Sequence, residues 1–122
     1  MKYCWTTINV SDLSKSLAFY QDILGLGVAL RFKPNPGMEI AFLGDGETQV
    51  ELIWNASNAE VGFGKDISLG FVVDSIEGFM KVIEARGIPV HSGPFQPNPS
   101  IRFIYVQDPD GLKIQLVENL GR

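Results

Sequence analysis

The segment Asp108-Pro109-Asp110-Gly111-Leu112-Lys113-Ile114-Gln115-Leu116 joins a tight turn to a strand. Aspartate, proline and glycine favour turns, and Gly111 stands where a hairpin turn needs a positive φ. After Gly111, apolar and polar residues alternate, which is the period of a half-buried strand. The segment therefore predicts a hairpin turn followed by the last strand of a sheet.

The sequence outside this segment shows that the chain is a duplication. Residues 114–119 match residues 50–55 at a shift of 64, and residues 95–99 match residues 32–36 at a shift of 63. At a shift of 62 the matching pairs are Val10 with Val72, Asp12 with Asp74, and Gly25 with Gly87. Three matches in the same order, with an offset that drifts by single residues, indicate a tandem repeat.

Each half has the same predicted elements. An apolar strand (3–10, then 67–73) leads to a helix-capping residue, Ser11 or Asp12 in the first half and Asp74 or Ser75 in the second. Apolar residues then recur at helical spacing, and a glycine ends each helix. Three strands follow in each half, at 27–33, 38–44 and 48–54, and at 88–92, 101–107 and 112–118. The order is βαβββ twice, which is an α+β fold.

Composition limits the function. The chain has 122 residues, a net charge of −4, one cysteine (Cys4) and one histidine (His91). One cysteine excludes a disulfide framework, and the acidic balance disfavours nucleic acid as a partner. No apolar run is long enough to span a membrane, and the first residues have no signal-peptide pattern. We therefore expect a cytoplasmic protein with no membrane partner.

Two motifs carry a family resemblance. Val10-Ser11-Asp12-Leu13, followed by Phe19-Tyr20 and Ile23-Leu24-Gly25-Leu26, resembles the opening of the vicinal oxygen chelate superfamily. Residues 108–116 resemble its "DPDG" ending. The superfamily includes glyoxalase I, bleomycin-resistance and fosfomycin-resistance proteins, and extradiol dioxygenases. The resemblance covers nearly the whole chain.

The resemblance implies a glyoxalase-like architecture. Tandem βαβββ modules form a curved mixed sheet around a cavity, with the helices outside, and the protein is a homodimer. We expect one domain over residues 1–122, with the first module at 1–58 and the second at 64–122.

The resemblance also implies where a divalent metal binds in family enzymes. One ligand comes from the first strand and one from the last strand of each module. In this sequence the four positions are occupied by Trp5, Glu51, Ser68 and Gln115. Three of the four usual ligands are thus replaced, because an indole N–H only donates and the hydroxyl and amide are weak ligands. We therefore expect no cofactor and no metal ligands, with an atypically held Mg²⁺ or Mn²⁺ as the alternative.

Strand alternation indicates what lines the cavity if the four positions point inward. Glu51 is the candidate catalytic residue, as a general base. The candidate ligand-binding residues are Trp5, Thr7, Glu51, Ile53, Ser68, Phe103, Tyr105 and Gln115. Such an aromatic pocket with few polar groups is typical of small-molecule sites.

Three functions follow from this pattern, and the sequence leaves open whether the protein is an enzyme. The first is metal-independent binding of a small aromatic or cationic molecule in the cavity or at a dimer crevice, as in bleomycin-resistance proteins. The alternative is a lyase or isomerase of the glyoxalase type that uses Glu51 with an atypically ligated metal. The third is an interaction module whose cavity is filled by Trp5, Phe103 and Tyr105.

Overall fold

Each half of the sequence folds into a four-stranded mixed sheet with helical structure on one face. The computed structural model describes residues 1–58 and 60–121, and it divides into two units, Met1–Gly62 and Phe63–Arg122. The predicted α+β class and the doubled βαβββ order are confirmed.

The first unit begins with β1, at the edge of its sheet. Its elements are β1 (Trp5–Val10), α1 (Leu13–Leu17), a π-helix (Ala18–Ile23), β2 (Val28–Asn35), β3 (Met38–Leu43) and β4 (Gln49–Asn55). The strand order is β1-β4-β3-β2, with β1 parallel to β4 and the other pairs antiparallel.

The second unit repeats this topology. Its elements are β5 (Ser68–Val72), α2 (Ile76–Ala85), β6 (Ser92–Asn98), β7 (Ile101–Gln107) and β8 (Lys113–Asn119). The strand order is β5-β8-β7-β6, and β5 runs parallel to β8.

Alternation along the strands separates a core face from a helix-free face in each sheet. In the first unit, Ile8 and Val10 of β1 and Leu52 of β4 are buried on the side of the helices. In the second unit, Ile104 and Leu116 are fully buried on the side of α2. The side chains between them in sequence point to the other face of the sheet. The helix-free faces are where the candidate site residues lie.

The drifting offset between the halves has a structural origin in the first helix. Asp12 caps α1 and Ser75 caps α2, a shift of 63, whereas the glycines that end the helices, Gly25 and Gly87, differ by 62. The additional residue of the first half is taken up by the π-helix, in which the Leu24 N–H donates to the carbonyl five residues earlier. In the structure, Val10 and Asp12 therefore correspond to residues 63 positions later, one more than the shift of 62 that the sequence match indicates.

Asp108 holds the turn that it begins. The Asp108 carboxylate accepts hydrogen bonds from the backbone N–H groups of Asp110 and Leu112, both at 2.9 Å. Gly111 has a φ of +91°, a conformation that a side chain disfavours. Asp108 is buried, so the motif stabilises the β7–β8 turn.

Among the strands, β6 differs most from the sequence prediction. β6 covers Ser92–Asn98 rather than 88–92, although it contains Pro94 and Pro97. Proline is tolerated there because β6 is an edge strand, with one side free of ladder hydrogen bonds. Cys4 lies one residue before β1 begins and is exposed.

Within the described part of the chain, no helix combines the length and the hydropathy that crossing a membrane requires.

Candidate functional site

The helix-free face of the first sheet carries a carboxylate on its second strand from the edge. Glu51 of β4 lies beside Thr7 of β1 in the parallel register, and Trp5 lies beside Gln49. Because side chains two residues apart share a face, Trp5, Thr7, Glu51 and Ile53 are brought to one surface. The four candidate residues of the first half are therefore neighbours.

Glu51 is the buried ionisable group of this face. Its side chain is 9% exposed, and its Oε1 accepts a hydrogen bond of 2.5 Å from the Thr7 hydroxyl. Among the described residues, Thr7 is the only hydrogen-bond partner that the structure gives this carboxylate. A buried carboxylate with one short hydroxyl contact is oriented, and its remaining lone pairs can take a proton or bind a ligand.

An aromatic pair borders the carboxylate. The rings of Trp5 and Phe42 meet edge to face with centroids 5.1 Å apart, and Phe42 is the antiparallel register partner of Glu51. Trp5 remains 44% exposed, so its ring offers a free surface. Phe42 was missed by the sequence reasoning. The alternation along β3, which places Phe42 opposite Glu51, is the signal that could have found it.

The helix-free face of the second sheet carries the other four candidates. Tyr105 is the antiparallel partner of Gln115, and Gln115 is the parallel partner of Gly70. A Cβ at Gly70 would lie 3.5 Å from Gln115 Oε1, which shows that the amide lies over this glycine. Ser68 is the first residue of β5, the edge strand of this sheet, and it is exposed. Glu51 and Gln115 hold equivalent strand positions, and Thr7 corresponds to Gly70.

Three aromatic rings cluster on this second face. Phe103 lies 5.4 Å from Phe95 and 5.8 Å from Tyr105, measured between ring centroids. The Lys113 ammonium lies 4.5 Å from the centre of the Tyr105 ring. Phe95 was missed as a site residue, although its match to Phe32 in the repeat placed it on an equivalent strand.

A sequence model of the Glyoxalase/Bleomycin resistance protein/Dioxygenase superfamily matches residues 2–116. The chain belongs to this superfamily. Among the relatives of this glyoxalase-superfamily chain is a lactoylglutathione lyase of Haemophilus influenzae, 35% identical over 98% of this chain and 93% of its own length. Another is a probable lactoylglutathione lyase of Synechocystis, 37% identical over 96% of this chain and 95% of its own length.

Solved structures of the superfamily share the fold. The trypanothione-dependent glyoxalase I of Leishmania major superposes with a TM-score of 0.82 at 23% identity, covering 97% of this chain and 86% of its own. TnmS3, an antibiotic-binding protein of Streptomyces, superposes with a TM-score of 0.73 at 22% identity, covering 98% and 96%. At these identities the likeness establishes the fold alone.

The relatives correct one prediction. No cofactor was expected because three of the four usual metal ligands are replaced. The relatives that match nearly the full length are lactoylglutathione lyases, and lactoylglutathione lyases are metal-dependent enzymes. The expectation of no cofactor is therefore wrong. It gave too much weight to ligand replacement and too little to the polarisation that carbonyl chemistry of this class takes from a metal.

The side chains at the four ligand positions nevertheless do not fit the usual ligand set. The Trp5 ring packs against Phe42, and its N–H cannot coordinate an ion. Glu51 is the only anionic group of the four, and it already accepts from Thr7. Over residues 1–58 and 60–121, no three His, Cys, Asp or Glu side chains are grouped as metal ligands. Imidazole ligation of the ion is therefore absent at these positions in this sequence.

Proposed function

We propose that this protein is a glyoxalase-type lyase that acts on a thioester of the lactoylglutathione class, with Glu51 as its proton-transfer group. The observation that carries the proposal is the buried Glu51 carboxylate on the helix-free face, oriented by Thr7. The relatives that are 35% and 37% identical over nearly their full length support the substrate class.

The chemistry of such a thioester calls for a base. In a lactoyl thioester the carbon that bears the hydroxyl is next to the thioester carbonyl, so its C–H bond is the one that a base can break. A carboxylate within reach takes this proton and returns it to the adjacent carbon, while the hydroxyl proton passes to the former carbonyl oxygen. The product is the hemithioacetal of a 2-oxoaldehyde, which releases the thiol together with the proton of its new hydroxyl. Glu51 fits this role because it is oriented and largely shielded from water.

The neighbours of Glu51 suit the substrate. The Trp5–Phe42 pair gives an apolar wall for the acyl group and the sulfur, and Ile53 extends this wall along β4. The Thr7 hydroxyl, held at 2.5 Å, fixes one carboxylate oxygen of Glu51, and we propose that the other oxygen meets the substrate. We propose that Trp5, Thr7 and Ile53 bind substrate around the Glu51 carboxylate.

The substitution Glu51→Gln tests the proposal. It removes the base but keeps the size of the side chain, so we expect turnover to fall by about 100- to 10,000-fold. The readout is thioester absorbance with S-lactoylglutathione or with the 2-oxoaldehyde and thiol. Glu47→Gln, which changes an exposed glutamate that pairs with Lys2 at 3.7 Å, is the matched control and should keep full activity.

Loss of a divalent metal ion during purification could abolish turnover, so the assay controls for metal content. The protein is therefore tested as purified, after chelation, and after addition of nickel, zinc, manganese or magnesium. Binding of a small molecule without turnover of the thioester in any of these states would contradict the proposal and favour a binding protein. Equal turnover of wild type and Glu51→Gln would instead remove Glu51 from the chemistry.

A further inference from the structure

We propose that the helix-free face of the second unit holds a carboxylate-binding site, in which Lys113 is the anchoring cation. The proposed function of Glu51 does not contain this site. The ligand class is a small organic carboxylate with an apolar part, such as the peptide portion of a thiol substrate or a free aromatic acid.

The first observation is that Lys113 has a free charge. The ion pairs among the described residues join Lys2 with Glu47 and Arg31 with Glu39, and Lys113 takes part in neither. Its side chain is half-buried at the start of β8, although most lysines extend into water. A half-buried ammonium without a counter-ion gains more from a bound anion than a fully solvated lysine does.

The second observation is that the ammonium is held in place. Lys113 Nζ lies 4.5 Å from the centre of the Tyr105 ring, whose face attracts a cation. This contact restricts the positions that the ammonium can take. A preorganised cation loses less side-chain entropy when it binds an anion.

The third observation is the chemistry around the ammonium. Ser68 is the register partner of Lys113, so its hydroxyl lies on the same face and can donate to a second carboxylate oxygen. Phe95 and Phe103 continue the surface beyond Tyr105 as an apolar platform. A cation, a hydroxyl and three rings on one face match a carboxylate attached to an apolar group.

Titration calorimetry of the full chain with three probes tests this site. S-methylglutathione carries both carboxylates of the peptide thiol and cannot be turned over, its dimethyl ester masks these carboxylates, and benzoate represents a free aromatic acid. Lys113→Met keeps the apolar stem and removes the charge. Lys113→Arg restores a cation, and Lys81→Met, at an exposed position of α2, is the matched control.

We expect Lys113→Met to weaken binding of the acids by about tenfold or more, since a hydrogen bond to a charged group contributes that much. Lys113→Arg should recover part of the affinity, and Lys81→Met should bind as wild type does. Lys113-dependent binding of S-methylglutathione alone assigns the site to the thiol substrate. Equal dependence for benzoate assigns it to organic carboxylates in general.

Three outcomes would overturn the inference: no binding of either acid by the wild type, unchanged affinity in Lys113→Met, or an ester that binds as tightly as the acid. The failure of the proposed lyase function has a different signature, because turnover would then be absent while Lys113-dependent binding of the acids persists.

Discussion

At the scale of single residues, the contact between Thr7 and Glu51 is the feature of the site that the structure adds to the sequence. Both residues could be assigned to one face from strand alternation. Their direct register and the 2.5 Å hydrogen bond follow from the parallel pairing of β1 and β4, which joins residues 44 positions apart. Local sequence has no signal for the register of a non-local pair.

Thr7→Val should destabilise the protein and impair its chemistry. The substitution keeps the shape of the side chain but leaves a buried carboxylate without its donor, which costs about 1–3 kcal/mol of unfolding free energy. Urea unfolding measures this loss, and the lyase assay should show a lower kcat. Thr7→Ser keeps the hydroxyl and is the control. A Thr7→Val protein as stable as Thr7→Ser would mean that the hydrogen bond has no net effect.

Glu39 provides a prediction for pH. The 2.6 Å hydrogen bond that Arg31 donates lowers the pKa of Glu39. Desolvation of the carboxylate raises this pKa, and the positive charges of Arg31 and Lys33 lower it by smaller amounts. Because the folded pKa lies below the unfolded one, the pair stabilises the protein above the ordinary glutamate pKa. That contribution is lost as the pH falls through the lowered value.

NMR titration of the Glu39 carboxyl group checks this. In Arg31→Met its pKa should rise toward the ordinary glutamate value, and Lys33→Met should produce a smaller rise in the same direction. The associated change in stability at neutral pH should be small, because the pair lies on an exposed hairpin where solvent screens it. A Glu39 pKa that does not respond to Arg31→Met would contradict the pairing.

At the scale of elements, the first helix and its capping residue differ most from what the sequence indicates. Helical spacing of apolar residues predicts the helix but has no signal for a π-turn. Two adjacent capping candidates in each half also could not be separated by residue type, since Ser and Asp cap equally well. The structure selects Asp12, which accepts from the Lys15 N–H, and Ser75, which accepts from the Gly78 N–H.

Substitutions at the second cap separate the two candidates. Ser75→Ala should cost about 1 kcal/mol of unfolding free energy, because the Gly78 N–H loses its acceptor. Asp74→Ala, at the neighbouring position, should cost much less. Chemical denaturation of both variants gives the comparison. A larger loss in Asp74→Ala would show that Asp74 caps the helix in solution.

Deleting a single residue should destabilise the second helix more than the first. Removing Gln21, an exposed residue of the π-helix, leaves the twelve-residue spacing from cap to glycine that α2 already uses. The helix can then close as an ordinary α-helix with Phe19 and Tyr20 still buried. We expect a modest decrease of the melting temperature, measured by circular dichroism.

The matched deletion is Lys81 in α2. It rotates Ile83, which is 1% exposed, away from the core, and losing such a side chain costs about 2–5 kcal/mol. Equal losses in the two deletions would mean that the π-turn holds contacts of its own.

At the scale of the whole chain, the duplication was the strongest signal in the sequence, and it predicted the βαβββ order of both halves. Residues 108–116 could be placed in the last hairpin from turn chemistry alone. The metal dependence of the relatives could not be read in this way, because the ligand positions of Trp5 and Ser68 show only which groups were lost. The full-length similarity to lactoylglutathione lyases supplied that part.

The family resemblance implies a homodimer, and this is a prediction for the intact protein. Light scattering should give a mass of twice 13.4 kDa at micromolar concentration. Sedimentation at decreasing concentration then measures the dissociation constant. A mass of one chain at every concentration would contradict the prediction, while leaving the assignment of the fold unchanged.

The surplus residue of the first helix also matters for tracing ancestry. Both halves descend from one ancestral unit, and their lengths differ at this helix by a single position that the π-turn absorbs without moving either end. An alignment of the halves must therefore open its gap inside Ala18–Ile23. A gap placed before the helix would align Asp12 with Asp74 instead of Ser75, would compare non-equivalent residues at the start of the helix, and would overstate how far the halves have diverged.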